Sequence, residues 1–305
     1  MPPHWKTAVF CPILKPGKPP TEATSYRPVA ITSLVCRTFE RVVSRRLMSF
    51  LHDKLSPVQF GFRPGYSTED AIARVYGTLV KMANTRSVKY IERPNKKGTI
   101  VTSGKFTGHV SILGLLDLKD AFCRVPHKHL LDALALLQVP DYIMSIVAHW
   151  LTGRTSRTCV QGRYSSSLVL PCGVPQGSVL GPILFVVFID GLLTKLEDQY
   201  RSMHHLPVGC CTTAYADDVS IIVSGACSTQ VIEAWNRLLA FLVDWLNSHN
   251  MILSPKSEYL FFCHSGHDLY TPAGSPNKSP KLQVDINNSP LPLKLNMDTP
   301  ATSAL

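Results

Sequence analysis

Apolar residues along the chain are spaced in two distinct ways. Val110, Ile112, Leu113, Leu115 and Leu116 form a nearly continuous run that stops at Asp117. A second run, Val219 to Val223, begins directly after Tyr215-Ala216-Asp217-Asp218. Short apolar runs bounded by polar residues predict buried strands. Elsewhere the spacing is helical. Residues 37–52 place Phe39, Val42, Val43, Leu47, Met48 and Leu51 on one stripe. Arg37, Arg41 and Arg45 fall on another face, either a solvated surface or a phosphate contact. A helix capped by Ser228 runs to about His249, with Ile232, Trp235, Leu239, Leu242 and Leu246 inward. Two more helices are expected around 128–138 and 141–152, and residues 155–170 read as a hairpin turning near Gly162. Strands and helices mixed without strict alternation predict an α+β fold.

Between these elements the composition changes. Residues 1–36 read as short extended pieces rich in Pro, Lys and Arg, and residues 86–105 as a polar, basic loop or hairpin inserted before a strand. Beyond residue 265 Pro, Ser and Asn dominate, with room for one hairpin, Leu282–Ile286 against Leu291–Leu295, around Asn287-Asn288. The net charge of +10 points to a polyanionic partner, nucleic acid before membrane surface. The run Val179–Leu193 is broken by Gly181, Pro182, Asp190 and Gly191, so it reads as a buried element rather than a membrane span. No apolar leader opens the sequence, and nine cysteines without a Cys-x-x-Cys pair read as reduced, intracellular thiols. Cys263, His264 and His267 would make only half of a zinc site.

Two carboxylate positions stand out chemically. Asp117 ends one apolar strand and Asp217-Asp218 precedes another. Carboxylates at strand ends are costly unless solvated or neutralised, and a hard divalent cation neutralises them well. Phosphoryl transfer uses that arrangement: two metals about 4 Å apart serve the attacking and leaving oxygens.

The surrounding residues carry a resemblance. Leu116-Asp117-Leu118-Lys119-Asp120-Ala121-Phe122 resembles polymerase motif A of reverse transcriptases. Gly173-Val174-Pro175-Gln176-Gly177-Ser178-Val179-Leu180-Gly181-Pro182 resembles motif B, and Ala214-Tyr215-Ala216-Asp217-Asp218 motif C. Ser25-Tyr26-Arg27-Pro28-Val29 and Gln59-Phe60-Gly61-Phe62-Arg63 resemble two fingers motifs, and Leu253–Glu258 motif D. These motifs stand in family order across residues 5–262, in the wording of the non-LTR (LINE-type) retrotransposon enzymes, with a weak affinity to their ingi-like branch.

The resemblance implies a right-hand polymerase with fingers and palm, an antiparallel palm sheet, and the thumb absent or truncated. Residues 1–108 would be fingers with the basic insertion at about 86–105, 109–265 palm with motifs A to D and part of the fingers interleaved, and 266–305 a truncated hairpin or disordered tail. It implies that Asp117, Asp217 and Asp218 bind two Mg²⁺ ions, with Mn²⁺ as a substitute, helped by the carbonyl of Leu118. Lys256 would protonate the leaving pyrophosphate. Arg27, with Lys15 or Lys18, would hold the triphosphate, and Asp120, Ala121, Phe122, Gln176 and Gly177 would line the nucleotide pocket. Phe122 would exclude a 2′-OH by volume, favouring dNTP over NTP. Arg63 would touch the template or brace the fingers. The partners implied are an RNA template, a DNA primer and dNTPs, in the nucleus or a cytoplasmic ribonucleoprotein. Cys123 stands where the family commonly has Asp. Two readings compete with an active polymerase: a silent nucleic-acid-binding remnant, and an RNA-templated RNA polymerase, against which Phe122 and Ala216 argue.

Overall fold

The computed structural model describes residues 1–84, 87–94, 100–107, 110–206, 208–263 and three strand fragments at 285–286, 289–290 and 294–295. The chain forms two compact units that interleave along the sequence. One contains Met1–Tyr66, Leu118–Thr194 and Leu246–Ile252; the other contains Ser67–Asp117, Lys195–Trp245 and Leu253–Leu305.

In the first unit, β1 (Thr7–Leu14) pairs antiparallel with β2 (Tyr26–Ile31). Helix α1 (Leu34–Leu51) buries Cys36, Glu40, Val43, Leu47 and Leu51. The stripe read from sequence is thus turned slightly: Val42 is half exposed and a carboxylate, Glu40, takes a core position. Arg37, Arg41 and Arg45 are all exposed.

The second unit contains α2 (Thr68–Asn84), which the apolar pattern had not revealed, and a basic hairpin of β3 (Ser87–Pro94) and β4 (Ile100–Thr107). Strand β5 (Val110–Leu116) is the expected apolar run. A capping box starts α2: the Ser67 N–H donates to the Asp70 carboxylate at 2.8 Å, and the Asp70 N–H donates to Ser67 Oγ at 3.2 Å.

The chain then returns to the first unit with the single-turn α3 (Ala121–Arg124), α4 (His127–Leu136) and α5 (Asp141–Leu151). Strand β6 (Thr155–Val160) runs parallel to β1 and pairs antiparallel with both β7 (Arg163–Tyr164) and β8 (Leu168–Val169). Helix α6 (Leu180–Ser202) follows, its last turns from Lys195 lying in the second unit.

The sheet of the second unit continues with β9 (Val208–Tyr215), β10 (Asp218–Gly225) and, after α7 (Ser228–Ser248), β11 (Glu258–Cys263). Ser228, read as the cap of α7, is its first residue. The strand order is β11-β5-β10-β9, antiparallel throughout. The fragment β12 (Asp285–Ile286) pairs with β13 (Ser289–Pro290), and β14 (Lys294–Leu295) lies parallel to β11. The described pairs of the tail hairpin flank Asn287-Asn288, as expected, and the rest of its two arms is largely outside the described residues. Most of 266–305, with His264 and His267, lies outside the described residues.

The sheet packs on α7 through one close approach. A Cβ on Gly114 would overlap the buried Trp235 ring, so only glycine lets that indole lie against β5. Gly114→Ala should therefore cost about 1–3 kcal/mol by overpacking, read as a lower urea midpoint at constant m-value. An unchanged midpoint would mean that Trp235 is free to move away.

Candidate active site

Asp117 follows the last residue of β5, and Asp218 opens β10. Leu116 is in register with Val219, so Asp117 and Asp218 lie one step further along neighbouring strands. Alternation along a strand puts both on the sheet face opposite Leu116 and Val219. Asp217 occupies the two-residue turn joining β9 to β10, beside Ala216 at φ +56°. That tight turn delivers the second and third carboxylates beside the first.

The electrostatics follow from this crowding. Burial pushes the Asp217 carboxyl above the usual carboxylate range; a backbone hydrogen bond opposes the rise, and the charges of Asp218 and Asp117 add to it. Asp218 is raised by burial and then by Asp117. Carboxylates that repel one another at a partly solvated edge offer the hard oxygen donors a divalent cation needs.

The backbone of Asp117 is clamped by the turn before β11. Its N–H donates to Ser257 Oγ at 3.1 Å, and its carbonyl accepts the Ser254 N–H at 2.8 Å. Both serines are buried. Neither was singled out in the sequence, because a serine one step from a charged motif has no local signature. Lys256 lies in the same turn. With Asp117 and Asp218 it lines a cleft of about 590 Å³, whose apolar wall is Ile72, Tyr76 and Leu79 of α2 and Leu115 of β5.

The remaining sequence-predicted residues belong to the first unit. Leu118 and Ala121 are buried, and Asp120 is exposed at φ +52°. The Phe122 ring stacks on Phe185 at 4.7 Å between centroids and meets Phe62 edge-on at 6.3 Å. Gln176 and Gly177 are exposed in the loop before α6, next to β2, which carries the exposed Arg27: the Ala30 N–H donates to the Gln176 carbonyl at 2.7 Å. Gly177 has φ +114°, and a Cβ there would lie 2.5 Å from the Ala30 carbonyl oxygen.

Arg63 is buried, and its guanidinium donates to the carbonyls of Ser56, Gln59 and His52 at 2.7, 3.1 and 2.9 Å. It also lies 4.4 Å from the centroid of the Tyr66 ring. The fork is thus committed to the chain's own carbonyls and braces the loop after α1.

Residues 13–262 match the family described as reverse transcriptase (RNA-dependent DNA polymerase). The chain belongs to that family. This reverse-transcriptase chain is 28% identical over 257 residues to the "Probable RNA-directed DNA polymerase from transposon BS" of Drosophila melanogaster, covering 84% of the chain and 25% of that relative. It is 28% identical over 251 residues to the "RNA-directed DNA polymerase from mobile element jockey" of Drosophila funebris, covering 81% and 24%. The chain thus spans about a quarter of the length of these curated relatives. Their mobile-element names agree with a reverse transcriptase of the non-LTR kind. In fold it is similar to apo telomerase from Candida tropicalis, with TM-score 0.56 and 12% identity, over 88% of this chain and 53% of that one. Among the described residues no helix is long and apolar enough to cross a membrane.

The raised carboxyls give a test that needs no substrate. Their folded-state values lie above the unfolded ones, so the stability they contribute is present in acid and lost as pH rises through the folded-state range. In metal-free buffer near neutral pH, Asp217→Asn should raise Tm by a few degrees. That gap should close as pH falls toward about 4. Millimolar Mg²⁺ should then raise the Tm of the parent and leave the variant unmoved. Equal Mg²⁺ shifts in both chains would remove Asp217 from the metal site.

Proposed function

We propose that this chain is an RNA-templated DNA polymerase domain of a non-LTR mobile element, adding dNTPs to a primer 3′-OH with two Mg²⁺ ions, or Mn²⁺ in their place. The observation that carries the reading is the convergence of Asp117, Asp217 and Asp218 at one sheet edge, with Lys256 lining the same cleft. The names of the relatives, RNA-directed DNA polymerases of mobile elements, support it. So does the likeness to telomerase from Candida tropicalis, which has been solved with a fragment of telomeric RNA.

Asp117, Asp217 and Asp218 would hold the metals, with the Leu118 carbonyl as a further oxygen. Bound there, the ions supply charge neutralisation at the attacking and leaving oxygens. The chain's own residues do the rest. Lys256 carries a proton toward the leaving pyrophosphate. Arg27 binds triphosphate oxygens through a fixed guanidinium fork. Asp120, Ala121, Gln176 and Gly177 shape the nucleotide pocket, where the bare Gly177 backbone permits close approach. The Phe122 ring, held by its stack on Phe185, excludes a ribose 2′-OH. The exposed arginines of α1 and the net charge of +10 suit a phosphate backbone. An RNA-copying role places the chain in a nuclear or cytoplasmic ribonucleoprotein.

Primer extension on an RNA template tests the reading. Asp117→Asn and Asp217→Asn should each slow extension about a thousandfold or more, since lost metal charge is worth several kcal/mol. Template–primer binding should stay nearly unchanged and fall steeply with salt in parent and variants alike. Extension by the Asn variants at the parent's rate would refute the catalytic assignment. A parent that binds but never extends would leave a silent nucleic-acid-binding chain instead. Phe122→Val should separately let NTPs compete with dNTPs; undiminished discrimination would return Phe122 to a packing role.

A further inference from the structure

The first unit holds a carboxylate that none of these steps uses. Glu40 lies in α1 at 0% exposure, and donors meet both of its oxygens. Oε1 accepts the Trp150 indole N–H at 2.9 Å and the Cys36 thiol at 3.3 Å. Oε2 accepts the backbone N–H groups of Val179 at 2.7 Å and Leu180 at 3.3 Å. Burial, and then the charge of Glu40, push the Cys36 thiol up to about 12, so it remains a donor. Arg154 stands behind the cluster, its guanidinium 4.5 Å from the centroid of the Trp150 ring. Burial lowers its pKa, and the charge of Glu40 works against that fall.

Val179 ends the loop that carries Gln176 and Gly177, and Leu180 opens α6. The first N–H groups of a helix lack intrahelical partners and are usually capped by the residue just before them. Here Ser178 caps one, its Oγ accepting the Gly181 N–H at 3.0 Å. A side chain from a different helix supplies the rest, and its negative charge suits the positive end of α6.

The same loop is tied down elsewhere by backbone. At its start the Gly173 N–H donates to Val125 and the Val174 N–H to Phe122, both at 2.8 Å. In its middle the Gln176 carbonyl is held by Ala30. The far end is held by Glu40. We infer that Glu40 is a positioning residue for the incoming nucleotide: by capping α6 across the fold it fixes the end of the Gly173–Val179 loop, and with it the places of Gln176 and Gly177. The nucleotide part of this inference rests on the polymerase reading above; the cap does not.

Every partner of Glu40 is a donor, so both oxygens must accept. Glutamine in its place can offer an acceptor to one side only, and its NH₂ then faces either the indole N–H or the two backbone N–H groups. Glu40→Gln therefore keeps the volume but takes the negative charge from the cap and leaves a donor facing donors on one side. Val43→Ala, one turn further along the same buried face, is the matched control, since it removes apolar volume from α1 and no hydrogen bond to α6.

Hydrogen exchange and steady-state kinetics on the full chain separate the outcomes. In Glu40→Gln the amides of Val179 and Leu180 should exchange about tenfold faster or more, as expected for the loss of hydrogen bonds to a charged group. The KM for dNTP should rise by a similar factor, while template–primer affinity holds. Val43→Ala should lower Tm without moving either quantity. Unchanged exchange in Glu40→Gln would overturn the cap. Faster exchange with an unchanged dNTP KM, or an equal KM rise in Val43→Ala, would overturn the positioning role. Should Glu40→Gln fail to fold, Glu40→Asp, which keeps the charge but withdraws it by one methylene, is read by the same criteria. A parent that extends no primer refutes the polymerase reading and the nucleotide role together, while exchange still decides the cap.

Discussion

The constraint on which the site depends is mutual repulsion among carboxylates. Two unit charges about 4 Å apart repel by roughly 4 kcal/mol at an effective dielectric constant near 20. Nothing in Asp117, Asp217 and Asp218 favours their own approach, so a scaffold must impose it. The ladder between β5 and β10 does so, with its register unbroken from Leu116 and Val219 down to Val110 and Gly225. Beneath it Trp235 fills the space that Gly114 leaves, and beside it Ser254 and Ser257 clamp the Asp117 backbone. The apolar runs that precede Asp117 and follow Asp218 supply the burial that holds the charges in place.

The loop before α6 solves a different problem by similar means. It presents Gln176 and Gly177 to the surface, and exposed backbone has no side-chain packing to fix it. Bonds from α3, β2 and α1 reach the loop at its start, middle and end. Gly177 fits only because it lacks a Cβ against Ala30. Phe122 serves both arrangements of the first unit, since its carbonyl anchors Val174 while its ring stacks on Phe185.

Legibility in the sequence followed the range of the forces involved. Strands β5 and β10 and helices α4, α5 and α7 were readable because their apolar spacing is local. The carboxylates were readable as a pair of strand ends, and the family motifs gave them roles. What escaped depends on partners far along the chain. Nothing local distinguishes Arg63 gripping three carbonyls from an arginine facing a template. Glu40 did leave a trace: it stands in the row of Cys36, Val43, Leu47 and Leu51, where a charge needs a buried partner. Helix α2 was also marked, by the Ser67 and Asp70 capping box, which the apolar pattern alone does not register. The parallel pairing of β1 with β6 left no signal, because strand register over so long a separation is set by the assembled fold.

The interleaving of the two units has a consequence for synthesis. Strand β5 is made before both of its neighbours, and the later of them, β11, ends at Cys263. Until that stretch leaves the ribosome, one edge of β5 carries unpaired backbone groups beside an apolar face, an arrangement prone to pairing with other chains. The clamp on Asp117 comes from Ser254 and Ser257, so the carboxylate edge too is completed only after those residues are made. A nascent chain stalled before residue 254 would have the three aspartates but not the clamp, and it would need a chaperone more than a substrate.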